Sequence, residues 1–244
     1  MMPLSIIIPT FNDERIIEKK INFLIKYLNN LKLKYEVILI NDGSSDKTKL
    51  IIKKLLFLKN LYLLNNKSNK GKSFSILKGM KKTKYNHILL IDSDLPYFSE
   101  FRKVIKLLKN NDFVFINRRH KKSKVIKKDL NFYVLVRLLI GYLISFMLKI
   151  TINLDNKNID TQAGLKGLKK IKELQRYNFI SNKFFLDIEL LYLYKKLSKK
   201  IISVPVRYNI SKSSTINLLH MKKNFLVIYE LIKVLFSIYK NKTK

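Results

Sequence analysis

Short apolar runs alternate with apolar positions at helical spacing through the first half of the chain. Leu4 to Pro9 has the length and apolar character of a buried strand, and Ile17, Ile21, Leu24, Ile25 and Leu28 then recur at three and four after a polar opening near Asp13. The same reading predicts strands at Tyr35 to Ile40, Leu61 to Leu64, His87 to Ile91 and Phe113 to Ile116. Between them, helices are predicted after the loop Asn41 to Thr48 through Phe57, from Lys72 to Lys82, and from Phe101 to Lys109. Strands that alternate with helices imply an α/β fold, a mostly parallel sheet covered on both faces. Such a sheet binds its ligands at the carboxyl ends of the strands, where the polar motifs of this chain fall.

Beyond Asn117 the pattern changes. A basic loop, RRHKKSKVIKK, precedes a nearly all-apolar segment from Leu130 to Ile150. Within it Arg137, Gly141, Ser145 and Lys149 recur every fourth residue and form one narrow polar stripe on a helix. An Arg near mid-span costs roughly 2.5–3.5 kcal/mol on insertion scales, so an interfacial or re-entrant helix is expected rather than a spanning one. Met221 to Lys240 is a second amphipathic segment. Lys223, Glu230, Lys233, Ser237 and Lys240 form its polar face, and Phe225, Leu226, Ile228, Tyr229, Ile232, Leu235, Phe236 and Tyr239 its apolar one, suited to a membrane surface or to the body of the domain.

Composition narrows the chemistry. The 244 residues, 47% of them hydrophobic, suffice for a substantial core. There is no cysteine, and the three histidines His87, His120 and His220 are scattered, so a metal would be held by oxygen. A formal charge of +33, from 50 Lys and Arg against 17 Asp and Glu, attracts nucleic acid, acidic lipid or phosphorylated substrates. Part of that surplus is the Lys-, Asn- and Ile-rich usage of AT-rich coding sequence. The opening MMPLSIIIPTFND has no charged leader and no small-residue cleavage site, and is expected to be neither a signal peptide nor an anchor.

Four polar loops follow successive strands. PTFNDE, Pro9 to Glu14, exposes backbone and short carboxylates suited to a base and ribose. In NDGSSDKT, Asn41 to Thr48, Asp42 can accept from a base N–H, Gly43 permits a tight turn and Asp46 can cap the next helix. NKGKS, Asn69 to Ser73, brings Gly and Lys to a helix start, where backbone donors and an ammonium can receive phosphate. In HILLIDSDLP the strand runs into Asp92 and Asp94, whose mutual repulsion a hard divalent cation carrying phosphates would relieve. Each loop is also ordinary turn chemistry, and the last can be a capped strand-to-helix turn. Their order after successive strands is the stronger signal.

These stretches, SIIIPTFND, VILINDGSSDKT, NKGKSFSILKG and ILLIDSD, resemble in order the donor-site motifs of the family 2 glycosyltransferases of the GT-A fold. DTQAGLKGL, FFLDIELLY and ISVPVRYN are further similar to segments of the dolichyl- and polyprenyl-phosphate sugar synthases, most of all the dolichyl-phosphate glucose synthases. The resemblance implies a Rossmann-like GT-A domain and inverting transfer of a hexose from a nucleotide sugar, with UDP-glucose favoured and GDP-mannose the alternative. Asp92 and Asp94 would hold Mg²⁺ or Mn²⁺ at the diphosphate, Pro9, Phe11, Asp13 and Asp42 would line the nucleoside, and Lys72 would lie near the phosphates. Residues 1–129 would form the nucleotide-sugar half including the Asp-x-Asp turn, 130–150 the interfacial helix, 151–215 the acceptor side, and 216–244 the C-terminal amphipathic helix. The chain departs from the family pattern at Asn41, where Asp is frequent, at Asp13, where Glu is usual, at Ser73 and Ser75, where Gly and Ala are common, and at Pro96, where some relatives carry Gln.

Many family 2 enzymes place a Glu-Asp pair where this chain has Thr161 and Gln162, and a sugar hydroxyl acceptor needs the base they supply. A lipid phosphate is already an anion and needs only orienting cations. The expected acceptor is therefore a polyprenyl phosphate, gripped by Arg118 and Arg137, with Arg119 the substitute for Arg118. Gln162, Asp187 and Glu189 are candidate sugar or acceptor contacts, the last two equally a helix cap or structural pair. The expected location is the cytoplasmic face of the membrane, peripheral or interfacially embedded, against an anionic surface. The alternatives are a family 2 enzyme acting on a cell-surface glycan precursor and, more remotely, a basic nucleic-acid-binding protein; the second leaves the four loops unexplained.

Overall fold

The computed structural model describes residues 2–128, 159–210 and 221–242, with separate helical positions between 135 and 147. Arg137 and most of the 130–150 segment lie outside the described residues. In chain order the elements are β1 Leu4–Thr10, α1 Ile17–Asn30, β2 Tyr35–Asn41, α2 Thr48–Leu55, β3 Leu61–Asn65, α3 Lys72–Met80 and β4 His87–Ile91. After a 3-10 turn at Phe98–Glu100 come α4 Phe101–Leu108, β5 Phe113–Ile116, β6 Lys124–Lys128 and β7 Leu165–Lys169. The short α5 Glu173–Arg176, then α6 Leu186–Lys196, β8 Ile201–Val204, β9 Arg207–Ile210 and α7 Met221–Lys242 complete the chain.

The main sheet has the order β3-β2-β1-β4-β7-β5-β8, and β6 pairs with β9 in a small second sheet. β1 runs parallel to β2 and to β4, so the loops after β1, β2 and β4 emerge along one edge. Along β1 and β2 successive side chains enter opposite layers, because side-chain direction in a strand has period two. Ile6, Ile8, Val37 and Leu39 pack under α1 and α2, whereas Ile7, Ile38 and Ile40 pack with Ile76 of α3 and Leu190 of α6. Burial on both faces accounts for the near-continuous apolar runs in the sequence.

The exception to parallel order is β7, which lies antiparallel between β4 and β5. Its sequence LKGLK carries a lysine into the sheet, which conceals it from a reading based on apolar periodicity. Lys166 is buried, with its ammonium 3.1 Å from the Asp187 carboxylate and donating to the Ala163 carbonyl at 2.5 Å. Lys166→Met would leave Asp187 buried without its partner, and a loss of about 3–5 kcal/mol in denaturant unfolding is expected. Lys166→Met with wild-type unfolding free energy would contradict that pairing.

The C-terminal helix differs from its expected division into faces. Leu231, Val234, Leu235 and Ile238 of α7 pack on Phe185, Ile188 and Tyr192, and Glu230 of the expected polar face turns toward the protein. Leu226, Ile228, Tyr229, Ile232, Phe236 and Tyr239 remain exposed. Helical packing on one side thus leaves a second apolar stripe facing outward. Among the described residues no helix is long and apolar enough to cross a membrane.

Candidate active site

The loops after β1 and β2 are stitched into one rim. The Asn12 N–H donates to Ser44 Oγ at 3.0 Å, the Asp13 N–H to Thr48 Oγ1 at 2.7 Å, and the Glu14 N–H to Asp46 Oδ2 at 3.1 Å. In return the Ser45 N–H donates to Asn12 Oδ1 and the Lys47 N–H to Glu14 Oε2. Asp46 Oδ1 also receives the Thr48 N–H at the start of α2, as the sequence predicts. Pro9 lies at the end of β1, and Phe11 and Asp13 follow in the loop, Phe11 exposed. Asp42 is turned inward instead. Its carboxylate accepts from Asn66 Nδ2 and from the Lys70 and Gly71 N–H groups, so it ties the β2 loop to the loop preceding α3.

Lys72 opens α3 and reaches the Asp-x-Asp turn. Its Nζ lies 2.6 Å from Asp92 Oδ1, each side chain one-third exposed. Burial opposes the charge on Lys72, but Asp92, Asp187 and Asp94 outweigh it and hold the ammonium above its ordinary pKa. Asp94 is pushed above the usual carboxylate range by desolvation and then by the Asp92 charge. Asp13 is likewise raised, by burial and then by Asp46 and Asp92, against hydrogen bonding from Ser93 and the Phe11 N–H. The site therefore sets Asp92 and Asp94 about the Lys72 ammonium, with Asp13 in the field of Asp92. The turn is also strained: Leu95 and Tyr97 have φ of 54° and 55°, a region that side chains other than Gly enter at a cost.

The backbone start of α3 is not open to phosphate, contrary to the sequence expectation. Its Ser73 and Phe74 N–H groups donate to the Lys183 and Asn182 carbonyls at 3.1 and 2.9 Å. The phosphate-binding capacity of this loop rests on the Lys72 ammonium. Gly71, at φ +106°, is required by the same contact, since a Cβ there would overlap the Asn182 carbonyl and sit 2.9 Å from Lys183 Cα.

Antiparallel β7 brings residues from far along the chain to this edge. The Asp92 N–H donates to the Gly164 carbonyl at 3.0 Å, and a Cβ on Gly164 would overlap the Asp92 carboxylate and meet Pro96 Cγ at 2.8 Å. Gln162 sits two residues before it, its N–H donating to Asp160 Oδ1 at 3.0 Å. Asp160 in turn takes both Nε and a terminal nitrogen of Arg118 in a bidentate pair. Burial works against the Asp160 charge, and Arg118 more than reverses it, holding the carboxyl below its usual range. Arg119 donates to the Gly141 carbonyl and lies over the Tyr142 ring at 4.5 Å, tethering that segment to the sheet.

Two further sequence candidates make their contacts within the protein. Asp187 pairs with Lys166 behind the site, and Glu189 accepts the Ile180 and Ser181 N–H groups at 2.8 Å each. Sequence reading missed Asp160, Gly164 and Lys166. DTQAGLKGL drew attention to their segment, but nothing in its spacing announces which side chains turn to the edge. The donor set suits a hard cation that keeps substrate and water ligands: among the described residues no three carboxylate or imidazole groups converge, and Asp92 and Asp94 offer only oxygen.

Comparison with known proteins agrees with this architecture. Glucosyl-3-phosphoglycerate synthase from Mycobacterium tuberculosis, solved with Mn²⁺, UDP and glucosyl-3-phosphoglycerate, superposes with a TM-score of 0.66 over 98% of this chain and 80% of that one, at 16% identity. At that identity the likeness shows the fold, a Rossmann-like GT-A domain. A dolichyl-phosphate beta-glucosyltransferase of Dictyostelium discoideum is 29% identical over 223 residues, 84% of this chain and 66% of the relative. One of Trichomonas vaginalis is 27% identical, also over 84% of this chain and 65% of the relative. This chain therefore spans about two thirds of the length of these relatives. The model of "Glycosyl transferase family 2" matches residues 5–166, which takes in the two stitched loops, Lys72, the Asp-x-Asp turn and the strand behind it, and the chain belongs to that family.

Proposed function

We propose that the protein transfers a hexose, with glucose favoured, from a nucleotide sugar to a polyprenyl phosphate, with inversion at the sugar. The observation that carries this reading is the Lys72–Asp92 pair beside Asp94 and Asp13 at the carboxyl edge of the sheet, a cluster with no role in the core. Asp92 and Asp94 would hold Mg²⁺ or Mn²⁺, which when bound supplies positive charge for the leaving diphosphate. Lys72 adds a cation on the protein side, and Gly164 keeps Asp92 turned toward the edge. Pro9, Phe11 and Asp13 line the nucleoside side, while Asp42 shapes it from behind. Glucose as the favoured sugar is supported by the names of the dolichyl-phosphate relatives.

The acceptor side supports an anionic nucleophile. Gln162, whose amide cannot act as a base, stands beside Asp160, whose carboxylate is already paired with Arg118. A lipid phosphate arrives ionised and requires cations and dehydration rather than a base. Arg118 and Arg119 supply the cations, with Arg137 a third from the segment outside the described residues. The outward stripe of α7, together with exposed Tyr142 and Phe146, would seat the protein on the anionic cytoplasmic face of the membrane. In this division residues 1–129 serve the donor, 130–150 and 216–244 the interface, and 151–215 the acceptor.

The test is incubation with polyprenyl phosphate, Mn²⁺ and a panel of radiolabelled nucleotide sugars. UDP-glucose is expected to give the most label in the lipid phase, and chelation to remove it. Lipid-phase label from no donor would refute the proposal.

A further inference from the structure

Residues 180–186 form a turn whose backbone donors are all taken by side chains. Glu189 receives the Ile180 and Ser181 N–H groups; Glu230 of α7 receives those of Asn182 and Lys183 at 2.7 Å each and of Phe184 at 3.3 Å. Ser181 Oγ takes the Phe185 N–H at 2.8 Å, and Ser73 Oγ the Leu186 N–H at 3.4 Å. The Ser181 hydroxyl further bonds Glu230 Oε1 at 3.0 Å and stands 3.0 Å from Ser73 Oγ. Three separate elements, α3, α6 and α7, thus share one turn.

The acceptors of that turn point the other way, toward the donor edge. The Asn182 and Lys183 carbonyls hold the first N–H groups of α3, and Gly71 packs its bare Cα against the same peptide. Lys72 lies between Gly71 and Ser73, both fixed by these contacts. A shift of the turn would carry the base of the Lys72 side chain with it, and with that the 2.6 Å contact to Asp92.

We infer that Glu230 is a positioning residue for the donor site, the means by which the C-terminal helix fixes the 181–184 turn and, through it, Lys72. The inference rests on the donor-site reading given above. It extends the functional unit to α7, which lies beyond the residues matched by the family model. It also gives α7 a task besides covering α6: its inner face registers the donor lysine while its outer stripe stays exposed.

Glu230→Gln preserves side-chain size but turns an NH₂ group toward backbone donors. The expected result is a rise of about tenfold in the Kd for UDP with Mn²⁺ by calorimetry, with a matching rise in the KM for nucleotide sugar. The KM for polyprenyl phosphate should stay within about twofold, because the displaced group faces the donor. A purely structural clasp would lower the amount of folded enzyme without separating the two KM values. Equal rises in both, or an unchanged donor KM in folded protein, would overturn the inference. If Glu230→Gln does not fold, Ser181→Ala, which removes the hydroxyl shared by Glu230 and Ser73, is read by the same criteria. Failure of the wild-type chain to bind UDP would remove the donor-site reading itself; wild-type affinity in the folded variant would remove only the clasp.

Discussion

Asp94→Asn is expected to lower sugar transfer by about 10²–10³-fold or more while leaving the unfolding transition near its wild-type position. The change removes a charge without changing size, at an exposed position that contributes nothing to the core. Desolvation, and then the Asp92 charge, raise the Asp94 pKa, so a second bare carboxylate is disfavoured at that turn. A cation is the natural compensation, so loss of the Asp94 charge should also raise the Mn²⁺ concentration needed for half-maximal rate. Retention of full activity at low Mn²⁺ would place the metal elsewhere.

Gly164→Ala should be nearly as damaging, although its methyl group carries no chemistry. The added Cβ would occupy the space of the Asp92 carboxylate and press on Pro96. The carboxylate is the freer of the two and would swing away, breaking its alignment with Lys72 and Asp94. Misplacement by about 1 Å at a reacting centre costs on the order of 10²-fold in rate, and that is the expected fall in kcat. The variant should still fold, since the collision is with a partly exposed side chain rather than with the core. Circular dichroism and kinetics on the same preparation check both halves: full kcat in a folded Gly164→Ala protein would show that Asp92 has room the structure does not give it.

The elements that were legible in the sequence are those whose burial is uniform. β1, β2 and β4 are packed on both faces, so every residue must be apolar or satisfied, and the polar residues that end them stand out. That made Asp92, Asp94, Lys72 and the two stitched loops readable in order. β7 was not readable as a strand, because its second residue, Lys166, is buried by pairing with Asp187, a partner some twenty residues on whose contact no local pattern encodes. For the same reason Gly164 and Asp160 drew no functional assignment: their importance is created by Asp92 just after β4 and Arg118 after β5. The phosphate cradle expected at α3 failed because the carbonyls that fill it come from the 182–183 turn. Glu230 followed the same rule, as a charged residue on a helix reads as solvated until the turn it grips is known.

The proposed acceptor is a lipid phosphate, which needs no protein base. The most direct measurement supplies purified protein with UDP-[¹⁴C]glucose, Mn²⁺ and either a polyprenyl phosphate or the polyprenol of identical chain length. Label is expected on the phosphate alone, in a product cleaved by mild acid to free glucose and polyprenyl phosphate. Equal labelling of the alcohol, or labelling of a sugar acceptor with neither lipid modified, would contradict it.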